Sequence, residues 1–189
     1  MHFAHSARKV LLDTSAFRRF LDVDLFLELH GYLGKKAFVV EEVMAELCDV
    51  AGYRRHAALK MTLTANPSWP QVIPPQPLDV EEEILRIQTE KRPAERSGDE
   101  KVNLGEIATV VVGAHLNFPL IVADDGLAKL LAKPRGLPRI STAMLAVEML
   151  LQGALDEAQG FAVYDCATPT GIGRLEFEAA VQRAQDASP

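Results

Sequence analysis

Apolar residues in this chain come in short unbroken runs rather than in alternation. Lys9 to Leu12, Ala37 to Val40 and Leu120 to Ala123 are such runs, and they predict strands buried on both faces of a parallel sheet. Gln71 to Ile73 and Arg139 to Ser141 give two further short strands. Between them the spacing turns helical. Helices are predicted from Thr14 or Ser15 to about Leu21, from Asp22 to Tyr32 with closure by Gly31 and Gly34, and from Glu41 into Asp49. Residues 53–64 continue as helix with a basic face, and Asp79 is placed to N-cap a helix reaching about Glu90. Helices follow from Asn103 to about His115, over 125–132 and from Thr142 to Gln152. The stretch 91–101, KRPAERSGDEK, is punctuated by Pro93 and Gly98 and is predicted as a loop. Beyond it, 156–165 and 174–185 are predicted helices around the turn TPTGIG. Strands separated by helices predict an α/β fold.

Composition narrows the function classes. The 189 residues are 48% hydrophobic and 24% charged, as in a soluble globular protein. A net charge of −6 and a pI near 5.4 exclude a basic field over the whole surface, though not a local basic patch. Cys48 and Cys166 lie far apart without CxxC spacing, which argues against a zinc site and for a reducing interior. The opening MHFAHSARKV is polar, so no signal peptide is expected. The most apolar stretch, Ile107 to Ala123, is broken by His115, Asn117 and Pro119 and falls short of the roughly 20 apolar residues of a membrane span. A cytoplasmic protein without a membrane partner is expected.

Four acidic words carry the candidate chemistry: LLDTS at 11–15, EEVMAEL at 41–47, NLGEIAT at 103–109 and IVADDGLAKLL at 121–131. Carboxylates gathered from distant segments repel one another unless a cation stands between them. Asp13, Asp124 and Asp125 sit at predicted carboxyl ends of strands, where a parallel sheet collects its ligand. Each acid also has a structural explanation when taken singly. Asp13, and Asp124 or Asp125, can cap helices. Glu106 stands at capping-box spacing from Asn103, and Glu46 follows Glu42 on what can be a solvated face.

Taken together and in order, these words resemble the PIN-domain family of metal-dependent nucleases from about Lys9 to Gly153. LLDTSAF is similar to the opening motif, with Asp13 as the first metal-binding acid and Ser15 as its supporting hydroxyl. VVEEVMAEL puts the second acid on Glu46, and LGEIATVVVGA puts the third on Glu106, where many relatives carry Asp. IVADDGLAKLLA resembles a fourth motif, Thr-x-Asp, with Ala123 in place of the hydroxyl residue, Asp125 at the acid and Asp124 as an alternative.

The resemblance implies a three-layer α/β/α sandwich with a central parallel sheet, PIN-like over 6–155, with 156–189 a C-terminal helical extension of unknown role. It implies hydrolysis of RNA phosphodiesters. Asp13, Glu106 and Asp125 would hold the principal ion, and Glu46 would assist with it, hold a second ion or orient water. Carboxylates without thiolate or paired histidine point to Mg²⁺ or Mn²⁺. The chain is similar in kind to the VapC-like toxins of toxin–antitoxin pairs, which implies a homodimer and an antitoxin partner.

A negatively charged nuclease needs local cations for phosphates. Candidate RNA contacts are Arg18, Arg19, Arg92, Arg96 and Lys101, with Lys91 in the same loop and Arg54, Arg55 and Lys60 on the helix after Glu46. Runs of charge are more often solvated faces. Trp69, beside prolines, is expected to anchor packing rather than stack a base. His2, His5, His30, His56 and His115 share no spacing that supports nucleophilic chemistry, and Gly171-Ile172-Gly173 lacks the strand and helix of a nucleotide loop. A haloacid-dehalogenase-type phosphatase wants Asp where Ser15 stands, and a receiver domain wants its acidic pair after the first strand. Both fit worse. A PIN-like module that binds RNA or protein without cutting is the alternative to the enzyme.

Overall fold

The computed structural model describes residues 8–49, 65–91, 103–166 and 172–187, together with Leu59, Met61 and Leu63. The chain begins with β1 (Val10–Leu12), α1 (Thr14–Asp22) and α2 (Phe26–Leu33), then β2 (Ala37–Val39) and α3 (Glu41–Asp49). Helical backbone recurs at Leu59, Met61, Leu63 and Ala65. β3 (Gln71–Val72), α4 (Leu78–Lys91), α5 (Leu104–His115), β4 (Ile121–Val122), α6 (Gly126–Ala132) and β5 (Arg139–Ile140) follow. The last helices are α7 (Thr142–Leu151), α8 (Glu157–Cys166) and α9 (Arg174–Ala187).

The five strands form one all-parallel sheet in the order β3-β2-β1-β4-β5. All three residues of β1 are buried, as a central strand covered on both faces requires. Leu11 pairs with Phe38 on one side and Ile121 on the other. The chain steps from β1 to β2 in one direction and returns to β4 on the opposite side. The crevice at the carboxyl ends of β1 and β4 is therefore the switch point of an α/β/α sandwich, the place where such sheets bind ligands. On one face α5 packs between α4 and α6, and on the other α1 packs on α2, α7 and α8. Gly113 lets α5 press on the sheet, since a Cβ there would stand 3.2 Å from Leu11, Ile121 and Leu137. The last two helices share the core: α8 and α9 pack on α7, and Val163, Phe177, Ala180 and Val181 are continuous with the buried strand residues.

Local chemistry explains where element ends depart from expectation. α1 runs on to Asp22, and Asp24 adopts a left-handed φ of 56°, so α2 opens at Phe26 rather than Asp22. Gly31 lies inside α2, and Gly34, at φ +48°, closes it. Asp79 is not an N-cap, because the Pro77 carbonyl accepts the first helical bonds, from the Val80 and Glu81 amides at 3.0 and 3.2 Å. Trp69 is buried, donates Nε1–H to the Gly34 carbonyl at 2.8 Å and meets Phe17, Phe26 and His30 edge-on. It is the packing anchor expected of it. Cys48 and Cys166 are free thiols. Among the described residues no helix is long and apolar enough to cross a membrane.

Glu148 sits on the buried face of α7 at 6% exposure, and burial pushes its carboxyl up to about 7. Burial, with Glu148 nearby, also raises the Tyr32 phenol. A folded-state pKa above the unfolded value means the stability Glu148 contributes is full below about pH 4.5 and is lost as pH rises through about 7. Between pH 5 and 8, urea unfolding of the wild type should lose about 1–3 kcal/mol more than that of Glu148→Gln. Equal losses in the two proteins would contradict this assignment.

Candidate functional site

Asp13 is the residue that follows β1, and its amide still donates to Val122 O of β4 at 3.0 Å. Its carboxylate, 5% exposed, accepts from Ser15 Oγ at 2.9 Å. Asp13 occupies the N-cap position of α1 without making a full capping bond. Burial raises its pKa to about 6 against the pull of the Ser15 hydroxyl and the nearby Thr14 and Ser15 amides, with Glu46 adding repulsion.

Glu46 reaches from α3 to the start of α5. One carboxylate oxygen accepts from Thr14 Oγ1, and the other from the Gly105 amide at 3.1 Å. The closeness of that approach depends on glycine: a Cβ on Gly105 would lie 2.7 Å from Glu46 Oε1. Glu46 is therefore turned inward rather than lying on a solvated face with Glu42.

Glu106, in the first turn of α5, is 6% exposed and does not form a capping box. Asn103 takes a left-handed φ of 63° without a side-chain cap, and Glu106 instead crosses to accept from the Ala128 amide of α6. Its pKa is pushed up to about 8, first by burial and then by Asp125 and Asp13, while the Ala128 amide and Arg139 oppose the rise.

The two acids after β4 point in opposite directions. Asp125 is exposed and caps α6, accepting from the Leu127 amide at 3.3 Å. Asp124 is buried. Its Oδ1 accepts from the Thr142 amide at 2.7 Å, and its Oδ2 from Thr142 Oγ1 at 2.8 Å and from Arg19 Nε.

Asp13, Ser15, Glu46, Glu106 and Asp125 line one cleft of about 440 Å³, joined by Arg18, Arg19, Asp22 and Asn103. Asp124 is not on its wall. Arg19 is committed to Asp124 and to the Cys166 carbonyl, whereas Arg18 is exposed and has no ion pair among the described residues. Arg92, Arg96 and Lys101, like Arg54, Arg55 and Lys60, lie outside the described residues. Among the described residues no three of His, Cys, Asp and Glu are gathered closely enough to hold one ion. Glu46 and Glu106 instead spend carboxylate oxygens on Thr14, Gly105 and Ala128. Sequence reasoning missed Thr14, Gly105 and Thr142 as site residues, and it did not place Asp22 or Asn103 on the cleft. Gly105 carried a signal, since glycine in a first helical turn is unfavourable and asks for a packing reason.

No family model, no curated protein and no solved structure matches the chain.

Replacing a helical glycine with alanine ordinarily stabilises a protein by about 0.4–1 kcal/mol. Gly31→Ala should do so, because open space surrounds that position. Gly105→Ala should forgo that gain, because the Glu46 carboxylate must swing away and give up its bond from the residue-105 amide. Thermal unfolding of the pair measures the contrast, and a Gly105→Ala protein as stable as Gly31→Ala would contradict the seating of Glu46.

Proposed function

We propose that this protein is a PIN-like, metal-dependent ribonuclease, and that it acts as the toxin of a toxin–antitoxin pair. The observation that carries this reading is the convergence of Asp13, Glu46, Glu106 and Asp125, from four separate segments, on one cleft at the switch point of a parallel sheet. The donor set is all oxygen, and two of its carboxyls are desolvated and repelled by their neighbours, which is the environment a hard divalent cation relieves. Asp13, Glu106 and Asp125 would hold Mg²⁺ or Mn²⁺, with Glu46 assisting. Such an ion, when bound, makes a water more acidic and neutralises charge on a phosphodiester under in-line attack.

The chain's own residues supply the rest. The Ser15 hydroxyl fixes the Asp13 carboxylate, and the Ala128 amide fixes that of Glu106. Thr14 and Gly105 hold Glu46 where it can orient an attacking water. Arg18, exposed at the cleft and without an ion pair among the described residues, is the cation offered to a substrate phosphate. A homodimer, an antitoxin partner and a cytoplasmic setting belong to the same proposal.

One observation favours a second reading, a PIN-like module that binds RNA or protein without cutting. No three acids among the described residues stand at the spacing of a single metal site. Cleavage of a labelled single-stranded RNA separates the two. With Mn²⁺ or Mg²⁺ the wild type should cut, and Asp13→Asn and Glu106→Gln should each lower kcat by about 10³-fold. Cutting that survives excess EDTA, or wild-type rates in both variants, sinks the metal mechanism. Arg18→Ala should raise KM about 5–10-fold with kcat unchanged and reduce the salt slope by about 1. An unchanged KM removes Arg18 from the substrate path.

A further inference from the structure

We propose that Arg19 is a positioning residue of the acidic cleft, holding Asp13 through Asp124 and Ser15 and tying the cleft to the end of α8. This rests on the reading of the cleft as a metal-dependent site. Arg18 and Arg19 are neighbours on α1, yet only Arg18 is left exposed. The Arg19 side chain is 21% exposed and its partner Asp124 2%. The guanidinium is a rigid planar fork. Its Nε donates to Asp124 Oδ2 while its Nη1 donates to the Cys166 carbonyl, at the last residue of α8. That carbonyl lies in the last described turn of α8. One arm cannot move without the other.

The relay continues inward through main chain. Thr142 fastens the Asp124 carboxylate from the opposite side with its amide and its hydroxyl. With its side chain held at both oxygens, Asp124 points its own amide at Ser15 Oγ, 3.4 Å away. That contact uses the hydroxyl as an acceptor and directs its proton to Asp13 Oδ2 at 2.9 Å. The rotation of the Asp13 carboxylate is thereby set by a charge pair whose carboxylate member, Asp124, is not on the wall of the cleft. Outer contacts of this kind orient metal-binding carboxylates and typically contribute 10–100-fold to metal affinity.

Calorimetric titration with Mn²⁺, run beside thermal unfolding, tests the relay in the full chain. The proteins are wild type, Asp13→Asn, Arg19→Gln, Arg19→Lys, Ser15→Ala and the Arg19→Gln/Ser15→Ala double variant. Arg19→Gln and Ser15→Ala should each weaken Mn²⁺ binding by about tenfold, and the double variant should bind no more weakly than the weaker single one. Arg19→Lys, which keeps the charge but not the fork, should fall between wild type and Arg19→Gln. If Arg19→Gln does not fold, Arg19→Lys with and without Ser15→Ala completes the same cycle. Lower melting temperatures with wild-type Mn²⁺ affinity make Arg19 purely structural and overturn the proposal. Fully additive losses overturn the path through Ser15. A wild type that takes up no Mn²⁺, or an Asp13→Asn protein that binds equally well, overturns the cleft reading and this proposal with it.

Discussion

Asp124 is a carboxylate withdrawn from water at the end of β4, and its pairing with Arg19 and Thr142 joins four separate parts of the chain. Breaking a buried ion pair by removing one partner leaves the other charge uncompensated, at a cost of about 3–5 kcal/mol. The same group fixes the end of β4 against α1, the start of α7 and, through the arginine, the end of α8. The turns after β1 and β4, which carry Asp13 and Asp125, are tied to each other at this point.

Around that neutralised centre four further acids gather on one cleft. Among the described residues, Asp13, Glu46, Glu106 and Asp125 take donors from hydroxyls and main-chain amides rather than from cations. Neutral donors orient a carboxylate without cancelling its charge. Burial and mutual repulsion then hold Asp13 near 6 and Glu106 near 8. Two neighbouring acids thus divide the labour: Asp124 is neutralised within the protein and serves the scaffold, while Asp125 faces the cleft.

Much of this could be read from the chain. Buried parallel strands appear as continuous apolar runs, so β1, β2 and β4 and the acids at their ends were legible together. The choice between Asp124 and Asp125 was not, because successive residues of extended chain point to opposite sides and either register satisfies the motif. Arg18 and Arg19 posed the same difficulty on a helix, where about 100° separates one side chain facing the cleft from one folded into a charge pair. The capping-box alternative for Glu106 arose because spacing is local, whereas its actual partner, the Ala128 amide, belongs to a different helix. Thr14 and Gly105 were missed for that reason too: each acts on Glu46, distant in sequence, and only packing brings them together.

The most direct test of the account is a crystal of the full chain soaked in Mn²⁺ and measured at the manganese absorption edge. An anomalous peak between Asp13, Glu106 and Asp125, with Asp124 still paired to Arg19 and outside the coordination sphere, is the predicted result. A cleft without a peak, or a peak ligated by Asp124 with the arginine displaced, would contradict it.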